Sequence, residues 1–228
     1  LFGLGMSIQE IYLSETFWFV AALIVVPLFR GFRARDFMLL GIGFSVLSIV
    51  ALDTLPLPYA AWLFRFLLGF THLFFWTPFN IIFYEFRKGN HAELGALYYS
   101  INPALSLFGP AVAGIIAGFL GFPALYLLAI ALFALLFALT AMFVENREYR
   151  YDFRKSFESI SGLRSLIFME GFAAAIITAV TLPVMLLLYV NRPLEFGVFT
   201  SLVTVFAVLA TIFTAKLSDK ARKRRSFL

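Results

Sequence analysis

Runs of about 20 apolar residues recur along this chain, and at 1.5 Å per helical residue each can cross the hydrocarbon core of a bilayer. Seven spans are expected, at Ile11–Phe29, Phe37–Ala51, Leu57–Phe86, Leu94–Leu120, Phe122–Val144, Leu166–Val190 and Leu194–Ala215. The second is short by this measure and is expected to extend through Asp53 toward Pro56. Lipid offers no hydrogen bonds, so each span must satisfy its own backbone, which a helix does within one segment. A membrane barrel would instead show segments of about 10 residues with alternating polarity. The chain therefore reads as an all-α membrane protein. Its composition agrees, because only 14% of its residues are charged against about 25% in soluble domains. Pro78, Pro103, Pro110 and Pro183 fall inside spans. Each removes a backbone donor and is expected to mark a kink repaired by a neighbouring helix.

The loops set the orientation. Alternate loops hold Arg30, Arg33 and Arg35, then Arg87 and Lys88, then Arg147, Arg150, Arg154, Lys155 and Arg164, then the cluster from Lys216 to Arg225. Of the 18 basic residues, only Arg65 and Arg192 lie elsewhere. The opposite loops are assigned Glu10, Glu15, Asp53, Arg192 and Glu195. The positive-inside rule makes the basic loops cytoplasmic, and with them the N-terminus expected ahead of a further helix, of which Leu1–Gly5 would be the outer end. This is the pattern of a multi-pass protein of the plasma or inner membrane. The formal charge of +5 is thus a topology signal, and no nucleic-acid partner is expected. With no cysteine and only His72 and His91 as histidines, thiolate and His-cluster metal sites are excluded and no cofactor is expected.

Two basic loops resemble each other: Leu28–Leu39 lines up with Leu217–Leu228. Both follow an outside-to-inside span and both lead into a new apolar run. Six spans separate them, so the repeat unit is a six-helix bundle in parallel orientation, as in carriers built from two such halves. Basic cytoplasmic loops also resemble one another without any repeat. The expected domains are a first bundle over 1–144, a cytoplasmic linker over 145–164 and the start of a second bundle over 165–228. The linker mixes Glu, Arg, Tyr, Phe and Ser and reads either as a short surface helix or as a solvated tether. The chain opens on Leu1 and closes inside a basic cluster. It is therefore expected to be a fragment of a longer protein.

Three motifs carry a family resemblance. Ala215-Lys-Leu-Ser-Asp-Lys-Ala-Arg-Lys-Arg224 is similar to the loop signature Gly-x-Leu-Ala-Asp-Arg-x-Gly-Arg-Lys, keeping Leu217, Asp219 and Lys220. The earlier copy, Val26 to Arg35, keeps Leu28 and Arg35 but has Arg30 at the acidic position. Arg65-Phe-Leu-Leu-Gly69 matches an Arg-x-x-x-Gly element of a fourth helix. Gly109-Pro110 with Gly114 and Gly118 resembles a fifth-helix element of proton-driven efflux antiporters, with Leu105 in place of its leading glycine. In these motifs and their placement the chain resembles the major facilitator superfamily, from the end of a first helix to the loop after an eighth. The resemblance implies a twelve-helix carrier, seven of whose helices are complete here, and it assigns Asp219 and Arg35 to conformational loops. It also implies a small-molecule substrate, protons as a second passenger, and a monomer in the bilayer.

Arg65 is the sharpest candidate in the residues themselves. An arginine at a helix centre costs about 2.5–3.5 kcal/mol on insertion scales, so it is expected to face the bundle interior beside a partner or an anion. Gly69, His72 and Trp76 follow on the same helical face, making a polar and aromatic stripe. His72 titrates near neutral pH and suits proton relay; it equally suits a hydrogen bond between helices. Glu170 is a further proton-pathway candidate, or else an interfacial carboxylate paired with Arg164 or Lys155. Asn102 is a substrate-contact candidate or a helix-joining amide. Gly114 and Gly118 have the spacing that lets another helix approach closely.

Alternating-access secondary transport, with proton-coupled export, is the leading expectation. A polytopic enzyme acting on lipid is the alternative. No phosphate loop, His-Glu-x-x-His or Gly-x-Ser-x-Gly motif is present, which removes the usual signatures of ATP hydrolysis and of metal or serine hydrolysis.

Overall fold

The first helix starts on a capping box. In the computed structural model, Ser7 and Glu10 exchange bonds: the Ser7 amide donates to Glu10 Oε2 (2.7 Å) and the Glu10 amide donates to Ser7 Oγ (3.3 Å). These bonds satisfy donors that a helix start leaves open. Helix α1 then runs Ile8–Val25, so it begins before the expected Ile11. The structure describes residues 6–25, 31–85, 108–150, 164–176 and 197–206, with single positions at 105, 155, 158, 162, 194 and 195.

A strand β1, Gly31–Arg33, leads directly into α2, Ala34–Thr54. The anticipated extension of this span is present, and it also begins earlier than the apolar run. Pro56 and Pro58 follow its extended cap at Leu55, where proline cannot continue a helix. Helix α3, Tyr59–Thr71, passes into a π-helical turn, His72–Trp76, and then α4, Thr77–Glu85. Together these make a 25-residue apolar helix over Tyr59–Phe83. The wide turn sits immediately before Pro78, which has no N–H to offer the preceding turn and would crowd it in α geometry. The interruption expected at Pro78 thus takes the form of a π turn, a common cause of helix bending.

Helix α5, Phe108–Phe119, and α6, Phe122–Phe143, are joined at Gly121, whose φ is +82°. Only glycine adopts that conformation without strain, and Pro123 in the first turn of α6 suits a helix start. A second strand β2, Glu148–Arg150, then pairs antiparallel with β1, in the register Gly31↔Arg150, Phe32↔Tyr149 and Arg33↔Glu148. The linker expectation offered a surface helix or a tether; residues 148–150 instead form a strand. Helix α7 covers Arg164–Ile176 and α8 covers Gly197–Phe206. The remaining parts of the expected spans at 94–120, 166–190 and 194–215 lie outside the described residues.

The chain divides into two units, Leu1–Phe86 with Tyr126–Tyr189, and Arg87–Leu125 with Val190–Leu228. In the first, α3 packs against both α1 and α2. Its buried positions are largely small: Ser14, Ala21, Ser45, Ser48, Ala60 and Ala61 are at most 1% exposed. Small residues let helices approach closely where lipid gives no hydrophobic drive to association. The serine hydroxyls donate back to the helix, Ser14 to the Ile11 carbonyl and Ser48 to the Ser45 carbonyl. Large side chains point outward instead, with Leu23, Leu127 and Met142 each at least 70% exposed. This inversion of the soluble pattern suits lipid. In the second unit α8 meets α5, where Gly197 is buried against Pro110 and Gly114.

Candidate functional site: an ion pair between two spans

Helices α1 and α3 both begin at the end opposite the basic loops. Glu15 is the eighth residue of α1 and Arg65 the seventh of α3. At 1.5 Å per residue both lie about 10 Å along their helices, at matching depth. Arg65 Nη2 forms an ion pair with Glu15 Oε1, and the two side chains are 34% and 18% exposed. An isolated charge here would be expensive, so each group makes the other tolerable.

One turn further along α3, Gly69 is buried against α1. A Cβ there would come within 2.7 Å of Ala21 Cβ and even closer to the Trp18 carbonyl oxygen. Glycine is therefore what lets the two helices meet beside the pair. His72 follows, with its ring edge-on to Trp18 (centroids 5.3 Å, 77°) and tilted toward Trp76 at 6.5 Å. The expected stripe Arg65–Gly69–His72–Trp76 faces α1 over its first three members. Trp76 is 39% exposed. Thr71, on the neighbouring face, donates to the Gly41 carbonyl (3.1 Å) and accepts from Ser45 Oγ (3.1 Å), tying α3 to α2.

Glu15 is the residue that sequence reasoning misplaced. Its charge is counted with the outer loops although the expected span Ile11–Phe29 contains it; the capping box starts α1 earlier still, which sets Glu15 well inside the helix. The motif Ser7-Ile-Gln-Glu10 was the available signal.

The other candidates are dispersed. Pro110 and Gly114 lie against Gly197 of α8, and Gly118 lies against Leu194, whose Cβ is 3.7 Å from an added Cβ, whereas among the described residues a Cβ on Gly109 meets nothing within 4 Å. Arg35 stands half-buried in the first turn of α2. Glu170 lies on α7, and its side chain is outside the described residues, as are Asn102 and Asp219. No group of three or more His, Cys, Asp or Glu suited to a metal is found among the described residues.

At the basic-loop end the ribbon gathers a second polar cluster. The Tyr149 hydroxyl donates to Glu85 Oε2 (2.6 Å), and Arg147 Nη1 is 3.7 Å from the same oxygen. Burial and the Glu85 carboxylate beside it push the Tyr149 phenol up to about 12. Asn146 donates to both carboxylate oxygens of Asp36 at 3.1 Å.

Comparison with curated proteins and with solved structures gives no match. The family model described as Major Facilitator Superfamily matches residues 2–228, nearly the full length. Helices long and apolar enough to span a membrane, closely packed through small residues, accord with that match. The chain belongs to the major facilitator superfamily of membrane transporters, which act on small-molecule substrates.

Proposed function

We propose that the protein is a secondary active transporter working by alternating access, and that it exports a small molecule in exchange for protons. The observation that carries this reading is the Arg65–Glu15 pair inside two spans, with His72 and Trp18 beside it. Charges held within the membrane, paired across helices, commonly mark substrate and ion pathways. A guanidinium that can leave its carboxylate offers an anion site, and a carboxylate that can leave its guanidinium offers a proton site. Aromatic rings alongside supply apolar surface for a passenger. Asn102, Trp76 and Glu170 are assigned to the same pathway. Gly69, Gly109, Pro110, Gly114, Gly118, Arg35 and Asp219 are assigned to the conformational change. The bundles are taken as 1–144 and 165–228 with the linker between them. We place the basic loops in the cytoplasm, the protein in the plasma or inner membrane, and the working unit as a monomer.

Flux driven by a pH gradient in proteoliposomes tests the assignment. Arg65→Ala and Glu15→Gln should each abolish flux. Because either change leaves one charge unpaired within a span, the double variant Arg65→Gln/Glu15→Gln supplies the control. It should insert and purify like the parent and still not transport. Wild-type flux in a correctly inserted double variant would remove the pair from the mechanism.

A further inference from the structure

The start of the linker is built into the first unit. Residues Glu148–Arg150 complete a ribbon with Gly31–Arg33, and the Ala34 amide extends the pairing by donating to the Arg147 carbonyl (2.9 Å). Phe32, 7% exposed, lies 5.6 Å from the Tyr149 ring and stacks on Phe37 at 5.0 Å. Phe37 in turn meets Phe74 of the π turn at 4.9 Å. Tyr149 and Arg147 reach Glu85 at the end of α4, and Asn146 reaches Asp36 in the first turn of α2. Three helix ends are thereby joined: the start of α2, the end of α4 and, through Val144–Arg147, the end of α6.

We propose that residues 145–150 are a clasp: they fasten the basic-loop ends of α2, α4 and α6 into one block, and the first part of the linker moves with that block throughout the transport cycle. The clasp does not depend on its exposed ion pairs, which contribute little in water. Backbone pairing and the Phe32–Tyr149–Phe37 packing hold it. That the block moves in a transport cycle rests on the function proposed above; the existence of the clasp does not.

The absence of cysteine from the chain makes the test direct. Ala34 and Arg147 form a hydrogen-bonded pair, so Arg33 and Glu148 form the neighbouring non-hydrogen-bonded pair, with Cα atoms about 4.5 Å apart. That separation suits a disulfide. Both side chains are exposed, and Arg33 makes no cap bond to α2. In native membranes Arg33→Cys/Glu148→Cys should oxidise to an intrachain disulfide, seen by gel mobility and mass spectrometry. The out-of-register pair Arg33→Cys/Arg150→Cys should oxidise at least about tenfold more slowly, given diagonal separations of about 7–8 Å. A second pair, Asp36→Cys/Asn146→Cys, reports on the clasp without touching the ribbon and should also close. Failure of both the Arg33→Cys/Glu148→Cys and the Asp36→Cys/Asn146→Cys pairs to close, or equal rates for the ribbon pairs in and out of register, would overturn the clasp. Oxidised protein should then keep its flux. Flux that is present when reduced and lost when oxidised would mean that the clasp must open, which overturns its moving as one block. If the reduced protein shows no flux at all, the transport reading fails while the crosslinks still decide the clasp.

Discussion

Unpaired, Arg65 would cost about 2.5–3.5 kcal/mol within its span, and a carboxylate opposite it a comparable amount. Paired with Glu15, each answers the other, which is why Arg65 was legible from sequence as a residue needing a partner. The partner itself was not legible. Glu15 lies within the expected run Ile11–Phe29, but a carboxylate near the outer end of a span reads as a loop charge, and position along the chain does not say which helix it faces. Tyr149 was hidden for a different reason: nothing in its neighbours marks a three-residue strand. Its environment makes a separate prediction. The phenol is raised above its ordinary value to about 12, so the folded state favours the protonated form. The stabilisation this gives is fully present below about pH 10, the ordinary tyrosine value, and is lost as pH rises through the folded value. The difference between parent and Tyr149→Phe absorbance at 295 nm should therefore contain a phenol titrating near pH 12. A midpoint near 10 would remove the Glu85 bond.

At the scale of elements, glycine positions separate packing from mere presence in a helix. Gly69 and Gly43 are both interior helix residues, yet a Cβ at Gly69 collides with α1, while among the described residues one at Gly43 meets nothing within 4 Å. Gly69→Ala should lower stability by about 1–3 kcal/mol through overpacking. Gly43→Ala should be neutral or stabilising by up to about 1 kcal/mol through helix propensity. Thermal unfolding in detergent compares them, and equal effects would contradict the close approach of α1 and α3. The spans that could be placed from sequence were those with long unbroken apolarity, such as Phe122–Val144, seen as α6 over Phe122–Phe143. The π turn was legible only as a kink at Pro78. A proline dictates that an α turn cannot continue undisturbed, but packing decides how the chain accommodates it. Here Gly41 lies against the turn, within 2.7 Å of Phe75 N for an added Cβ.

For the molecule as a whole, the membrane class and the family were readable from run length, loop charge and three motifs. The arrangement of the basic-loop end was not. Loop charge places a segment on one side of a bilayer but is silent on which loops meet, so the pairing of residues 31–33 with 148–150 had no signal. The side itself remains open to a direct check. Accessibility tags beside Arg87 and Lys88 and between Glu145 and Arg164 should both report the cytoplasm. Tags on opposite sides would refute the orientation drawn from the basic loops. The Arg65–Glu15 pair carries a consequence at this scale as well. With both groups ionised it has no net charge. Moving the two helices together through the membrane field therefore does no electrical work, whereas a lone charge would cost about 2.3 kcal/mol per 100 mV. While the pair stays intact, a current recorded during turnover counts only the charges of what is carried, and its sign and size give their number without a contribution from this part of the carrier.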